Sequence, residues 1–293
     1  MGKFLKDYSR DPIGVVFGLI LLGLFVVALT AQWITPSDPF ETNLLNGMKP
    51  PSAEHWFGTD QFGRDVLSRV ILATQVTARL TTLAILFAVG IGVPIGMIVG
   101  YHGGLADAII MRITDIMLIF PMIMLAIVIV VIAGPSERGV IIALGFSQLP
   151  EFIRIARAVT LSLKEELFVE ASVAVGAGWP WILRHHIWPN ISTPIIVQAT
   201  LTLPVFVLNA SALSYLGLGV QPPTPEWGQM LNEAKDFLIN APYLIIGPSL
   251  ALFLFVLSAN LVGDTLQETL NPRTRGRRVS RRFHRLTRPK VLS

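Results

Sequence analysis

The sequence contains no cysteine, so it can hold no disulfide, no thiolate nucleophile and no Cys-based metal site. Charge is scarce as well: 14% of the 293 residues are Asp, Glu, Lys or Arg, against 52% that are hydrophobic. A soluble domain of this length needs a polar surface that such a composition cannot supply, and the mean hydropathy of +0.61 points the same way. The phosphate-cradling pattern G-x-x-x-x-G-K-[ST] is missing, so no ATP site of that kind is expected in this chain. H-E-x-x-H and a Gly-rich dinucleotide fingerprint are missing too. The five histidines are His55, His102, His185, His186 and His284, and adjacent His185 and His186 point to different faces of a helix, which disfavours a metal site. The long apolar runs lack the buried carboxylates that an ion-driven carrier commonly uses, since Asp107, Asp115 and Asp264 fall near their ends.

What is present is a series of runs long enough to cross a bilayer, each near the ~20 residues that a spanning helix needs. Residues 1–34 comprise a polar leader with Lys3, Lys6 and Arg10 and a 22-residue uncharged run, Ile13 to Ile34. That run exceeds the ~7–15 residues of a signal-peptide core and reads as an uncleaved span. Four more are clear: Leu80–Gly100, Ile113–Ala133, Pro194–Gly217 and Pro242–Val262. A sixth, Gly139–Leu161, carries Glu151, Arg154 and Arg157 three residues apart on one helical face, so it crosses only if that face meets protein or water. The expectation is an all-α, polytopic membrane protein of six transmembrane helices in a lipid bilayer.

Between the first two runs, residues 35–75 are polar, proline-bearing and aromatic. Val66, Leu67, Val70 and Ile71 recur there at helical spacing, which predicts an amphipathic helix at the membrane surface before the second span. Gly90, Gly92, Pro94, Gly96, Pro121, Pro204 and Pro248 interrupt the spans. Close packing accounts for the glycine cluster, while packing and hinge readings both stand for the prolines. Asn209, Ser211 and Ser214 are the polar candidates for a pore-lining face, with helix–helix hydrogen bonding as the alternative. Pro222 to Gly228 reads as a stiff connector with an exposed Trp227, either sealing the outer mouth or pinned at the interface.

Basic residues fix an orientation. With both termini on one side, that side collects Lys3, Lys6, Arg10, Arg112, Arg154, Arg157, Lys164, Arg184 and nine in the tail; the other has Lys49, Arg64, Arg69, Arg138 and Lys235. Seventeen against five places both termini, and the loop between the fourth and fifth runs, in the cytoplasm. The basic tail, residues 267–293, then serves as a lipid-facing anchor, and no nucleic-acid partner is expected despite a pI near 9.6.

That cytoplasmic loop is unusual. Phe168 to Asn190 reads FVEASVAVGAGWPWILRHHIWPN: a helix breaking at Gly176-Ala177-Gly178, a restart at Trp179-Pro180, and a stop at Pro189-Asn190. Glu170 has no task in a membrane and is free to pair with a cation on a partner, and Ala171 and Ser172 are small enough for close approach. A capped interfacial loop is the plainer alternative.

Glu170-Ala171-Ser172, Gly176 and Ile187-Trp188-Pro189-Asn190 resemble the EAA loop of permease subunits in bacterial ABC importers, with Ser172 in place of Ala and Trp188 in place of Leu. The blocks 55–70 (HWFGTDQFGRDVLSRV), 215–231 (YLGLGVQPPTPEWGQML) and 260–273 (NLVGDTLQETLNPR) are similar to the dipeptide/oligopeptide/nickel permease group, C-type. The resemblance implies a MetI-like bundle in the bacterial inner membrane, with a permease core at 76–266 and a coupling loop at 164–190. It implies that Glu170, Ala171, Ser172, Gly176 and Pro189 contact an ATPase. It also implies a homologous permease subunit, two ATP-binding subunits and an extracytoplasmic solute-binding protein as partners. ATP and magnesium would reside on the ATPase subunits, leaving no cofactor and no enzymatic activity in this chain. Di- or oligopeptides are the expected cargo; nickel, glutathione or an opine-like solute is the alternative, and an ion-coupled secondary carrier or a non-transporting scaffold the readings of another class.

Overall fold

The computed structural model describes residues 11–270; the leader and most of the expected basic anchor lie outside the described residues. Within 11–270 the regular elements are helical, ten α-helices with two short 3₁₀ turns and one π turn. Helix α1 is Pro12–Ile34, α2 Val66–His102, α3 Gly104–Ile119, α4 Met122–Ala133 and α5 Glu137–Lys164. Helix α6 is Leu167–Ala174, and α7, Trp179–Ile182, runs through a π turn, Leu183–Ile187, into α8, Trp188–Tyr215; α9 is Trp227–Ala234 and α10 Tyr243–Leu270.

Helices α2 and α5 form the central pair, and glycines set their spacing. A Cβ on Gly96 would collide with the Ile153 carbonyl and lie 2.7 Å from Ala156 Cβ, and one on Gly92 would lie 3.0 Å from Phe152 Cβ. Gly145 of α5 in turn faces Ala84 and Phe87, and Gly100 faces Arg157. The matched residue numbers rise together along both helices, so α2 and α5 run parallel. A parallel pair requires the intervening chain to return across the bundle, and α3 with α4 makes that return.

The return is bent. Among the described residues, five helices are long and apolar enough to cross a membrane, and a sixth crossing is counted when α3 and α4, which meet at 98°, are taken as one. The straight span expected over Ile113–Ala133 is thus corrected. Pro121 sits between the helices, and its ring excludes the preceding Phe120 from helical geometry (φ −81°, ψ 132°).

The bundle has two distinct ends. One, the cap end, gathers residues 35–65 and 216–242; the other, the corner end, gathers 165–187 beside the α2–α3 junction. At the cap end, the expected surface helix is instead the first turns of the 37-residue α2, whose N-cap Asp65 accepts from Ser68 N at 2.7 Å. Its polar side faces protein rather than water: Arg69, 1% exposed, donates to the carbonyls of Pro39 and Pro223, both at 3.3 Å. Asp60 and Glu233 flank Arg64 and Arg69, with Arg64 Nε 2.6 Å from Asp60 and Arg64 Nη2 3.2 Å from Glu233. A buried charge needs such pairing, and the quartet ties the 35–65 segment to α9.

Trp227 is also corrected: it is fully buried, packs on Phe255 at 5.8 Å, and directs Nε1 to the Val70 carbonyl at 3.4 Å. Its place is the core shared by α1, α2, α8, α9 and α10. A second core joins α2, α4, α5 and α8 around Leu80, Leu144 and Phe206. A third, around Phe152, Val169, Ile182 and Ile187, holds the corner end.

Candidate functional site

The corner at 165–187 is built from two short helical arms and a break. Helix α6 ends as the sequence predicts: Val175 is the C-cap, Gly176 adopts φ +89°, and two hydrogen bonds close the end. Ala177 N donates to Ser172 O at 3.0 Å and Gly176 N to Val173 O at 2.9 Å, the pairing that satisfies terminal carbonyls when a residue in left-handed geometry follows a helix. Gly178 then caps the second arm, with Pro180 in its first turn, where a missing N–H costs nothing.

The expected stop at Pro189-Asn190 is corrected. The chain continues as one 37-residue helical path, Trp179–Tyr215. Before the proline the helix widens into the π turn, so Trp188 N reaches back to Leu183 O. Asn190 Nδ2 donates to the His186 carbonyl at 2.7 Å, supplying a donor just past the proline ring, which has none. The second arm of the corner is therefore continuous with α8, with helix rather than loop between them.

One face of the corner is anchored and the other is open. Val169 is the one buried residue of α6, set against Ile182, Leu183 and Ile187 of the second arm. Glu170, Ala171, Gly176 and Pro189 are exposed, and Ser172 is half-buried. Glu170 has no ion pair or side-chain hydrogen bond with any described residue. Around it, Leu167 is 81% and Val175 85% exposed, and Val173, Trp179 and Trp181 also face outward. Exposed apolar side chains and an unpaired carboxylate thus share the corner.

The first arm hangs directly from α5, and α5 is braced to α3 by two ion pairs. Arg157 engages both carboxylate oxygens of Asp107, with Nη2 at 2.6 Å from Oδ2, and Arg154 pairs with Asp115. These pairs account for Arg154 and Arg157 on the charged face of α5 noted in the sequence. They also settle why Asp107 and Asp115 are tolerated in an apolar region.

The polar residues suggested for a pore are dispersed. Ser211 and Ser214 are buried and pack beneath α9, and Ser211 Oγ donates to Glu226 at 3.1 Å. Both are enclosed within this chain, and for Ser211 the bond to Glu226 matches the helix–helix hydrogen-bonding alternative. Asn209 is half-buried and donates to the Val205 carbonyl at 2.7 Å. The buried partner that sequence reasoning missed is Glu226. It is fully enclosed, caps α9 through Gly228 N (2.8 Å) and Gln229 N (3.2 Å), and accepts from Thr77 at 3.3 Å. Its signal was there to be read, a Glu placed to cap W-G-Q-M, yet its contacts to α2 and α8 are non-local.

The family model described as binding-protein-dependent transport system inner membrane component matches residues 92–276, and that of the N-terminal TM domain of oligopeptide transport permease C matches residues 1–51. The dipeptide transport system permease protein DppC of Alkalihalophilus pseudofirmus is 41% identical over 268 residues, covering 92% of this chain and 88% of that protein. The glutathione transport system permease protein GsiD of Escherichia coli is 41% identical over 278 residues, covering 94% and 91%. Among solved structures, a chain of the MetNI methionine ABC transporter in inward facing conformations matches at a TM-score of 0.50 and 20% identity, covering 69% of this chain and 97% of that one. That likeness concerns the fold alone.

Proposed function

The chain belongs to the family of binding-protein-dependent transport system inner membrane components, and on that footing we propose that it is the permease subunit through which ATPase motion drives import of di- or oligopeptides. The permease assignment follows from the family; the coupling route and the cargo are our reading. The observation that carries the route is the open face of the corner, an unpaired Glu170 flanked three residues either way by exposed Leu167 and Val173, on a helix held by one buried residue.

With both termini cytoplasmic, the corner faces the compartment that holds ATP. Two ATP-hydrolysing subunits, a homologous permease chain and an external solute-binding protein complete the assembly. Nucleotide-driven closure pushes the corner. The push travels along the continuous α7–α8 path and, through α5 and its Asp107–Arg157 brace, into α3. Cap and corner ends then open alternately. ATP and magnesium belong to the motor subunits, and this chain supplies orientation and rigidity. Glutathione is the second cargo reading, favoured by the 41% identity to a glutathione permease.

Proteoliposomes holding the whole assembly test this. Uptake of labelled dipeptide is expected only with ATP inside the motor-bearing compartment, and Glu170→Lys is expected to abolish it while the protein still inserts. Uptake under an ion gradient without ATP would overturn the coupling reading, and transport of glutathione in preference to dipeptides would overturn the cargo.

A further inference from the structure

Ser172 and His186 lie on opposite arms of the corner, and their side chains meet at 2.9 Å. The Ser172 hydroxyl already donates its one hydrogen to the Phe168 carbonyl, 2.8 Å away. Toward His186 it can therefore only accept, so His186 Nε2 carries the hydrogen between them. The neutral Nε2–H tautomer and the imidazolium both provide that hydrogen, and the bond survives either charge state. The ring is confined on two further sides, by Phe168 at 5.5 Å and by Trp181 edge-on at 5.0 Å. Trp181 is itself held by His185, stacked on it at 4.7 Å.

This contact has a mechanical consequence. Helix α6 is eight residues, about 12 Å, with Val169 as its one buried side chain. That side chain and the short chain connections at either end locate the helix, and side-chain contacts to the second arm set its rotation. Ser172, three residues further on the same face, supplies the hydrogen-bonded one. No other side-chain hydrogen bond joins α6 to the second arm among the described residues.

We propose that His186 is a positioning residue of the corner: acting through the Ser172 hydroxyl, it sets the angle of α6 and hence the direction in which Glu170 is presented. The inference rests on the coupling role given above. Because the chain has no cysteine, Ala174→Cys and Arg184→Cys place the only two thiol-borne spin labels in this subunit, one on each arm. In the complete assembly, His186→Leu and Ser172→Ala are each expected to broaden the distance distribution between them. Each is also expected to lower the solute moved per ATP about two- to tenfold, the scale of one neutral hydrogen bond. The double variant is expected to be no worse than the poorer single one, since both remove the same bond. His186→Gln, whose amide nitrogen donates from nearly the same place, is expected to keep both readouts. Losses that multiply in the double variant, a His186→Gln as poor as His186→Leu, or broadening without lost coupling would overturn the proposal. Should the unaltered assembly show no ATP-dependent uptake, the coupling reading fails, and unbroadened distances in both single variants would separately overturn the role of His186.

Discussion

Glu226 sets a carboxylate oxygen 3.1 Å from Ser211 Oγ, joining the start of α9 to the interior of α8. The same side chain accepts from Thr77 of α2 and from two backbone N–H groups of α9, so four donors depend on it. Glu226→Ala leaves them without an acceptor inside protein. The expected cost is about 1–3 kcal/mol, the scale of stranded buried polar groups together with a lost helix cap. Thermal unfolding of the detergent-solubilised protein reads it, and Glu226→Gln, which keeps one acceptor oxygen, is expected to lose less.

Glu226 also predicts a pH dependence at the cap end. Burial raises its pKa above the usual Glu range, against the pull of its hydrogen bonds; burial likewise raises Glu233, with Arg69 and Arg64 opposing. A carboxyl whose pKa is higher folded than unfolded binds its proton more tightly in the folded state. The resulting stabilisation is complete below the unfolded value of about 4.3 and is lost as pH rises through the folded pKa. The unfolding temperature of the wild type relative to Glu226→Gln is therefore expected to fall as pH rises from about 4.3 toward neutrality. A difference that stays constant over that window would remove Glu226 as the source.

The particular residues show which features can be read from sequence. Gly176 and Trp179-Pro180 betray the corner because cap and break chemistry is local, decided by backbone geometry within a few residues. Arg154 and Arg157 betray a paired face because their spacing is helical and their charge is intolerable in lipid. Ser211, Ser214 and Trp227 mislead because the partners that bury them lie far away in sequence or in another element: Glu226 for the serine, Val70 and Phe255 for the tryptophan. Pro121 was visible, but an apolar run on both sides of it looks the same whether the helix continues or bends by 98°. Pro189 misled the other way, since a π turn carries the helix past a proline that usually ends one.

The glycine cluster of α2 divides on inspection of its neighbours. Gly90 is exposed, with nothing within 4 Å of an added Cβ, whereas Gly96 abuts α5. Gly90→Ala is expected to be neutral or slightly stabilising, since alanine is the better helix former. Gly96→Val must push α5 away, and overpacking of this kind costs about 1–3 kcal/mol. Expression yield and unfolding temperature of the two variants side by side provide the check, with equal behaviour counting against the close pairing of α2 and α5.

Gly176 separates backbone strain from side-chain bulk. Its φ of +89° disfavours any L-residue, yet an added Cβ meets nothing within 4 Å. Gly176→Ala and Gly176→Leu are therefore expected to destabilise the isolated subunit by the same amount, about 1–2 kcal/mol. In the assembly they should diverge: leucine projects from an open surface that a partner must approach, so transport falls further with Leu than with Ala. Equal transport by the two variants would place Gly176 outside the docking surface.

The two braces between α3 and α5 are unequal, and that inequality is measurable. Arg154 and Asp115 are 45% and 46% exposed, and a pair so open to solvent is worth about 0–1 kcal/mol. Arg157 and Asp107 are 29% and 13% exposed, and the guanidinium meets both carboxylate oxygens, a geometry that is stronger and more directional. Lysine cannot reproduce that fork, since its ammonium is a single point charge. Arg157→Lys is accordingly expected to weaken transport while Arg154→Lys leaves it near wild type. Arg157→Asp combined with Asp107→Arg restores the charges and is expected to recover more activity than either reversal alone. Because Arg157 also abuts Gly100, where an added Cβ would lie 2.9 Å from its carbonyl, its backbone is already fixed against α2. A loss in Arg157→Lys therefore reports the side chain's hold on α3, and with it whether the bent return crossing must move together with α5 for the solute to pass.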